Sequence, residues 1–310
     1  MITYLQAIIL AIVQGVTELF PISSLGHSVL VANLFGWHNL LKQETSDAAG
    51  LLTILVVMHV ATAIALLVFY RAEWVRIFKG FFRSVQTRKL GNDSDARLAW
   101  LLVAATIPAG LVGLIFEHSL RSQFAKPFSA IIFITINGFI LIKGDKVVQA
   151  SQKQRPRQRS KAASIDVDEK ALSRTAKMVS DHLSFGRAML IGTVQIGALF
   201  AGISRSGITM IAGLRSGLNH QDSARFSFLL ATPIILAAGI YKLPDVVGKA
   251  GEAIRGQMLV AGIVAGITAY LTVRYLDKYF QNRSLRPFGI YCVCAGVFML
   301  LLGIWRGSFS

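Results

Sequence analysis

The chain has 310 residues, 54% of them hydrophobic, and a positive mean hydropathy of +0.56. Charged residues make up 15%, against roughly a quarter in soluble domains, which excludes a soluble globular domain. The formal net charge of +16 would point to nucleic acid in a soluble protein, but here the basic residues sit between apolar segments, so a membrane accounts for them and no nucleic-acid partner is expected.

Apolar segments fall at 4–20, 24–37, 50–70, 98–116, 128–143, 187–201, 206–218, 225–241, 257–273 and 288–305. Only helices and closed barrels satisfy the backbone in lipid, and the ten-residue alternation of a barrel is absent. The expected fold is therefore an all-α polytopic membrane protein. No basic region precedes the first apolar stretch, so a cleaved signal peptide is not expected. A span needs about 20 apolar residues, and six segments reach that length, the one at 128–143 with its flanks. The other four are short and form two pairs, 4–37 and 187–218. Each pair is joined by a tight polar break, Pro21-Ile-Ser-Ser in the first and Gly202-Ile-Ser-Arg-Ser-Gly in the second. Short interrupted segments in matching positions of two halves are the mark of re-entrant helices at a binding site.

The two breaks are copies. Val13, Gln14, Ile22, Ser23, Gly26 and Gly36 fall on Val194, Gln195, Ile203, Ser204, Gly207 and Gly217 at a constant shift of 181 residues. Lys and Arg number seven in 70–97, ten in 144–187 and four in 274–286, but one in 38–50, two in 117–127 and three in 242–256. The positive-inside rule makes the rich loops cytoplasmic. Three spans per half then invert the second half relative to the first. The expected organisation is a first repeat at 1–146, a basic cytoplasmic linker at 147–182 and an inverted second repeat at 183–310, with about six transmembrane helices and two re-entrant pairs. The linker carries Lys153, Arg155, Arg157, Arg159 and Lys161, and its end, 168–182, has the composition of a surface helix. Cys292 and Cys294 point to different sides of one helix and suggest neither disulfide nor metal site.

Chemistry concentrates at the breaks. Gln14 and Glu18 are four apart and share a helix face; an ionisable residue at membrane depth is a functional candidate by default. Pro21 ends the first half-helix, Ser23 or Ser24 caps the next, and His27 shares the serines' face. In the second break Ser204 stands where Ser23 does and Arg205 replaces Ser24, followed by Ser206 and Thr209. Two helix N-termini and one guanidinium suit a phosphate or diphosphate. The carboxylate and imidazole beside them supply either acid–base catalysis or a place for a metal. His59, in the third apolar segment, is read as a packed histidine.

The motifs Gln14-x-x-x-Glu18, Pro21-Ile-Ser-Ser-Leu-Gly-His27, Gly202-Ile-Ser-Arg-Ser-Gly207 and the stretch from Ala224 to Ile234 resemble the undecaprenyl-diphosphatase family of bacterial bacitracin-resistance phosphatases, over nearly the whole chain. The resemblance implies two inverted halves, a site open to the periplasm of the bacterial plasma membrane, and removal of one phosphate from undecaprenyl diphosphate to regenerate the lipid carrier of peptidoglycan synthesis. It also implies a divalent ion, Mg²⁺ or Ca²⁺. Three departures stand out: Gln14 where many members have Glu, Leu25 where Thr is usual, and Ala201 where Pro is usual. The expected catalytic residues are Glu18, Ser24, His27 and Arg205, with Ser24 as nucleophile in preference to water. Gln14, Ser23, Ser204, Ser206 and Thr209 are expected to bind substrate, and Glu18, with or without Gln14, to hold the metal. The partners expected are a polyprenyl diphosphate lipid and the bilayer, with a homodimer left open. The alternative is a transporter or flippase of polyprenyl phosphate lipids, since inverted repeats with broken helices also build transporters.

Overall fold

The computed structural model describes residues 2–37, 40, 51–90, 93–116, 126–153 and 169–306. Most of the linker's basic cluster, from Arg155 to Lys161, lies outside them, as do most of the loops at 38–50 and 117–127.

Among the described residues the chain is helical and carries no strand. Six helices are long and apolar enough to cross a membrane: α3 (Leu51–Phe69), α5 (Ser94–Ile115), α6 (Pro127–Lys153, apolar over Pro127–Val147), α10 (His220–Tyr241), α13 (Arg255–Tyr279) and α14 (Arg286–Trp305). The short apolar segments form two broken pairs, α1 (Tyr4–Thr17) with α2 (Ser24–Leu34), and α8 (Phe185–Val194) with α9 (Arg205–Arg215). A 3₁₀ turn at Gln195–Leu199 extends α8. The protein is thus an all-α polytopic membrane protein.

The outer faces of the spans confirm their solvent. On α13 Leu259, Ile263, Ile267 and Leu271 are all exposed at helical spacing, whereas Ala261, Ala265 and Ala269 are buried. Large apolar residues outside and small ones inside invert the soluble pattern. In lipid no hydrophobic gain separates the two faces, and close backbone approach drives helix association. Gly15 of α1 exploits this, since a Cβ there would sit 2.7 Å from the Ala265 carbonyl oxygen. Gly192 of α8 meets the Ala105 carbonyl oxygen of α5 in the same way. The docking is reciprocal: α1 lies on α13 from the second half of the chain, and α8 on α5 from the first.

Two helices lie beside the spans. The loop expected at 70–97 contains α4 (Arg71–Thr87), whose Trp74, Ile77 and Gly80 are buried against α5 while Arg71 and Lys79 point outward. Its mixed composition hid it, because a polar face and an apolar face average to neither loop nor span. The surface helix expected at 168–182 is α7 (Glu169–His182), which seats Ala176 and Val179 in the core against α5. Two short helices, α11 (Leu243–Val247) and α12 (Lys249–Glu252), join α10 to α13.

Candidate active site

The first break is built from its backbone outward. α1 ends at Thr17, and Glu18 still donates its N–H to the Gln14 carbonyl at 2.9 Å. Pro21 stops the helix, and Ser23 takes a positive φ of 74° before α2 begins. For a non-glycine residue this conformation costs on the order of 1–3 kcal/mol and must be held by its surroundings. Three contacts hold it. The Ser23 hydroxyl accepts from Gly26 N–H at 3.4 Å and from Gly202 N–H at 3.2 Å, and His27 Nδ1 faces the Ser23 carbonyl oxygen at 2.7 Å. Ser23 therefore caps one half-helix and ties it to the other break.

The second break repeats the cap. Ser204 accepts from Gly207 N–H at 3.1 Å, and α9 starts at Arg205. The breaks touch through glycine: a Cβ on Gly26 would lie 2.9 Å from Gly202 Cα. Asn137, in the middle of α6, joins both. Its Nδ2 donates to the Pro21 carbonyl at 3.0 Å, and its Oδ1 accepts from Ser204 N–H at 3.0 Å.

This frame brings four side chains onto the Glu18 carboxylate. Arg205 Nη2 donates to Oε1 at 2.6 Å. On Oε2, Ser24 Oγ donates at 2.5 Å and Gln14 Nε2 at 3.1 Å, and His59 Nε2 stands at 3.2 Å. The expected set of Gln14, Glu18, Ser24 and Arg205 is assembled, although the first three and Arg205 are about 180 residues apart in the chain. Glu18 is buried, and a buried carboxylate with four donors is charge-matched. One of those partners, Arg205, is a guanidinium, the side chain suited to a phosphate.

His59 is not merely packed, contrary to the sequence reading. An ionisable residue in a span is a site candidate by default, and that signal was available. Asn137, a lone amide in an apolar run, carried a similar one. His27 is buried on α2 with its Nε2 2.9 Å from the Tyr291 hydroxyl, and its ring stacks on Tyr291. Both its nitrogens serve the frame rather than Glu18. The remaining expected substrate binders are buried and knit the second break together. Ser204 and Ser206 hydroxyls are 3.0 Å apart, and Thr209 Oγ1 donates to the Arg205 carbonyl at 2.7 Å and lies 2.6 Å from Ser227 Oγ.

Among the described residues no three His, Cys, Asp or Glu side chains cluster as a metal cage. A hard cation needs less from the protein when a substrate phosphate supplies oxygens: Mg²⁺ is commonly held by one or two carboxylates plus phosphate and water. Gln14 Oε1 is buried beside Glu18 with no hydrogen-bond partner. One carboxylate and one unengaged amide oxygen fit that small demand.

A sequence model of the family described as bacitracin resistance protein BacA matches residues 7–298. The chain is 45% identical to undecaprenyl-diphosphatase 2 of Frankia alni, covering 95% of this chain and 96% of that protein. It is 47% identical to undecaprenyl-diphosphatase of Mycolicibacterium paratuberculosis, covering 95% of each. It is 41% identical to undecaprenyl-diphosphatase 2 of Burkholderia ambifaria, covering 94% of each.

Proposed function

The chain belongs to the bacitracin resistance protein BacA family, and from that premise we propose that it hydrolyses undecaprenyl diphosphate to undecaprenyl phosphate and inorganic phosphate. The reaction returns the lipid carrier to peptidoglycan synthesis and confers resistance to bacitracin. The observation that carries the chemistry is the Ser24 hydroxyl 2.5 Å from a carboxylate that also holds Arg205. Moving an anion would need the guanidinium but not a serine seated on a base, so this pairing favours hydrolysis over transport.

The diphosphate sits against the N-termini of α2 and α9, where free N–H groups and the positive dipole ends favour anions. Arg205 and these N–H groups neutralise charge developing on the transferred phosphoryl group. Ser24 Oγ attacks the terminal phosphorus while Glu18 takes its proton. The bond to the bridging oxygen breaks, and undecaprenyl phosphate leaves with the electron pair and that proton. Water then attacks the phosphoserine and gives a proton through Glu18 to the departing Ser24 Oγ, releasing inorganic phosphate. Glu18 and Gln14 Oε1 would hold Mg²⁺ or Ca²⁺, which when bound supplies further neutralisation of phosphate charge. His27 acts through the backbone, holding the strained Ser23 carbonyl. Ser23, Ser204, Ser206 and Thr209 shape the two helix starts that receive the substrate.

Residues 1–146 and 183–310 form inverted repeats across the basic linker at 147–182, a reading supported by the reciprocal docking of α1 and α8. The basic loops are cytoplasmic and the site opens to the periplasm, as the Lys and Arg distribution supports.

The test uses purified protein in detergent micelles, where transport cannot occur. Phosphate release from undecaprenyl diphosphate with Mg²⁺ or Ca²⁺, abolished by Glu18→Ala and by Arg205→Ala, establishes the activity. A wild-type protein that releases none under either ion refutes it.

A further inference from the structure

His59 belongs to neither break. It projects from α3, and its Nδ1 lies 2.7 Å from the Leu55 carbonyl oxygen one turn earlier. That bond fixes the ring, so Nε2 meets Glu18 Oε2 at 3.2 Å in a set orientation. Its two ring nitrogens thus face two oxygen atoms, one on its own helix and one on Glu18. The side chain is 28% exposed. The lipid-facing residues of α3, Ile64 and Val68, lie about 140° and 180° around the helix from it. Its open edge therefore faces away from the lipid side of α3.

The other two donors on Oε2 are Ser24 and Gln14. Gln14 lies one turn before Glu18 on α1, and Ser24 six residues after it at the start of α2, so both belong to the first broken pair. The terminal torsion of a glutamate is soft, so those two bonds cannot by themselves fix the carboxylate plane relative to the rest of the protein. Arg205 pulls on Oε1 from the second break. A donor anchored in a separate span is what holds Oε2 against that pull.

We propose that His59 is a positioning residue of the hydrolysis, its Nε2 anchored from α3 so that Glu18 Oε2 stays on the Ser24 hydroxyl. This rests on the phosphatase reading above. A packing role would be indifferent to which polar atom reaches Glu18, whereas the positioning role is not. Glutamine can place an amide N–H where Nε2 stands, and asparagine is one methylene too short.

The experiment measures kcat and KM for phosphate release from undecaprenyl diphosphate in micelles, with melting temperatures, for wild type, His59→Asn and His59→Gln. Misplacing a catalytic group by about 1 Å costs on the order of 100-fold in rate, so His59→Asn is expected to lose about that factor in kcat. Its KM should stay within about threefold, and His59→Gln should recover kcat to within about tenfold of wild type. His59→Asn with wild-type kcat overturns the inference. So does His59→Gln if its kcat falls as far as that of His59→Asn while its melting temperature is unchanged. If His59→Asn fails to fold, the His59→Gln value alone decides. An inactive wild type overturns the phosphatase reading together with this one, whereas an active wild type with an indifferent His59 overturns only this one.

Discussion

Asn137 donates to the carbonyl of Pro21 and accepts from the N–H of Ser204, each at 3.0 Å. One amide in α6 thus satisfies a backbone group in each break and sets the distance between the two helix starts. Replacement by leucine would leave a buried C=O and a buried N–H unsatisfied, at a cost of about 1–3 kcal/mol each. Asn137→Leu is expected to lower the melting temperature and to cut kcat, because Ser24 and Arg205 no longer share one frame. Asn137→Asp with its carboxyl protonated keeps an acceptor for Ser204 and an O–H donor for Pro21, so it should be milder. Thermal unfolding and phosphate release on the same preparations check both.

Ser24 is the nucleophile in the mechanism, and its bond to Glu18 is the shortest on that carboxylate. Ser24→Ala should reduce kcat by at least about 1,000-fold, as for other residues that form a covalent intermediate. Its melting temperature should hold, since the Ser23 hydroxyl makes the cap. The check is acid-quench trapping of phosphoenzyme, present in wild type and absent in Ser24→Ala. An active Ser24→Ala with solvent ¹⁸O in the released phosphate would transfer the attack to water.

Gly26 lies where the two breaks meet, and a methyl group there would stand 2.9 Å from Gly202 Cα. Backbone has no rotamer with which to yield, so overpacking of about 1–3 kcal/mol is the expected cost of Gly26→Ala. The variant should also lose activity more steeply than stability, because the separation pushes Arg205 off Glu18. Comparing its melting point with its kcat separates the two effects.

Much of this site was legible in the sequence because its elements are local. A proline, two serines and a glycine interrupting an apolar run announce a helix break, and Gln14 and Glu18 four residues apart announce a shared face. The pairing of the breaks was legible through the constant shift between their copies. What stayed hidden was carried by single residues on other helices. His59 and Asn137 each look like one polar residue in a span, and only the crossing of α3 and α6 with the breaks gives them their partners. The partners of His27 were hidden for the complementary reason. Its spacing puts it on the serines' face, but a carbonyl and the Tyr291 hydroxyl reach its two nitrogens first. α4 escaped because its basic residues were counted as loop charge while Trp74 and Ile77 buried its other face.

Glu73 of α4 is buried beside Arg225 of α10, which pairs with Asp277 of α13. Neither of its carboxyl oxygens has a hydrogen-bond partner, and Arg225 Nη1 stands 3.9 Å away, engaged through its Nε with Asp277 at 2.8 Å. Burial pushes the Glu73 carboxyl up to about 7, with Arg225 opposing and Asp277 adding to the rise. The native state therefore holds a proton that the unfolded chain, with an ordinary carboxyl near 4.5, releases earlier. Stability falls wherever the native state binds more protons as pH rises. The contribution of this group is present below pH about 4.5 and is lost by about 7, amounting to on the order of 3 kcal/mol across that window. Glu73→Gln mimics the protonated form at every pH. Melting temperatures in detergent should fall from pH 5 to pH 7.5 in wild type and fall less in Glu73→Gln, with the two proteins converging at the acid end. A parallel decline in both would mean that another group sets the slope.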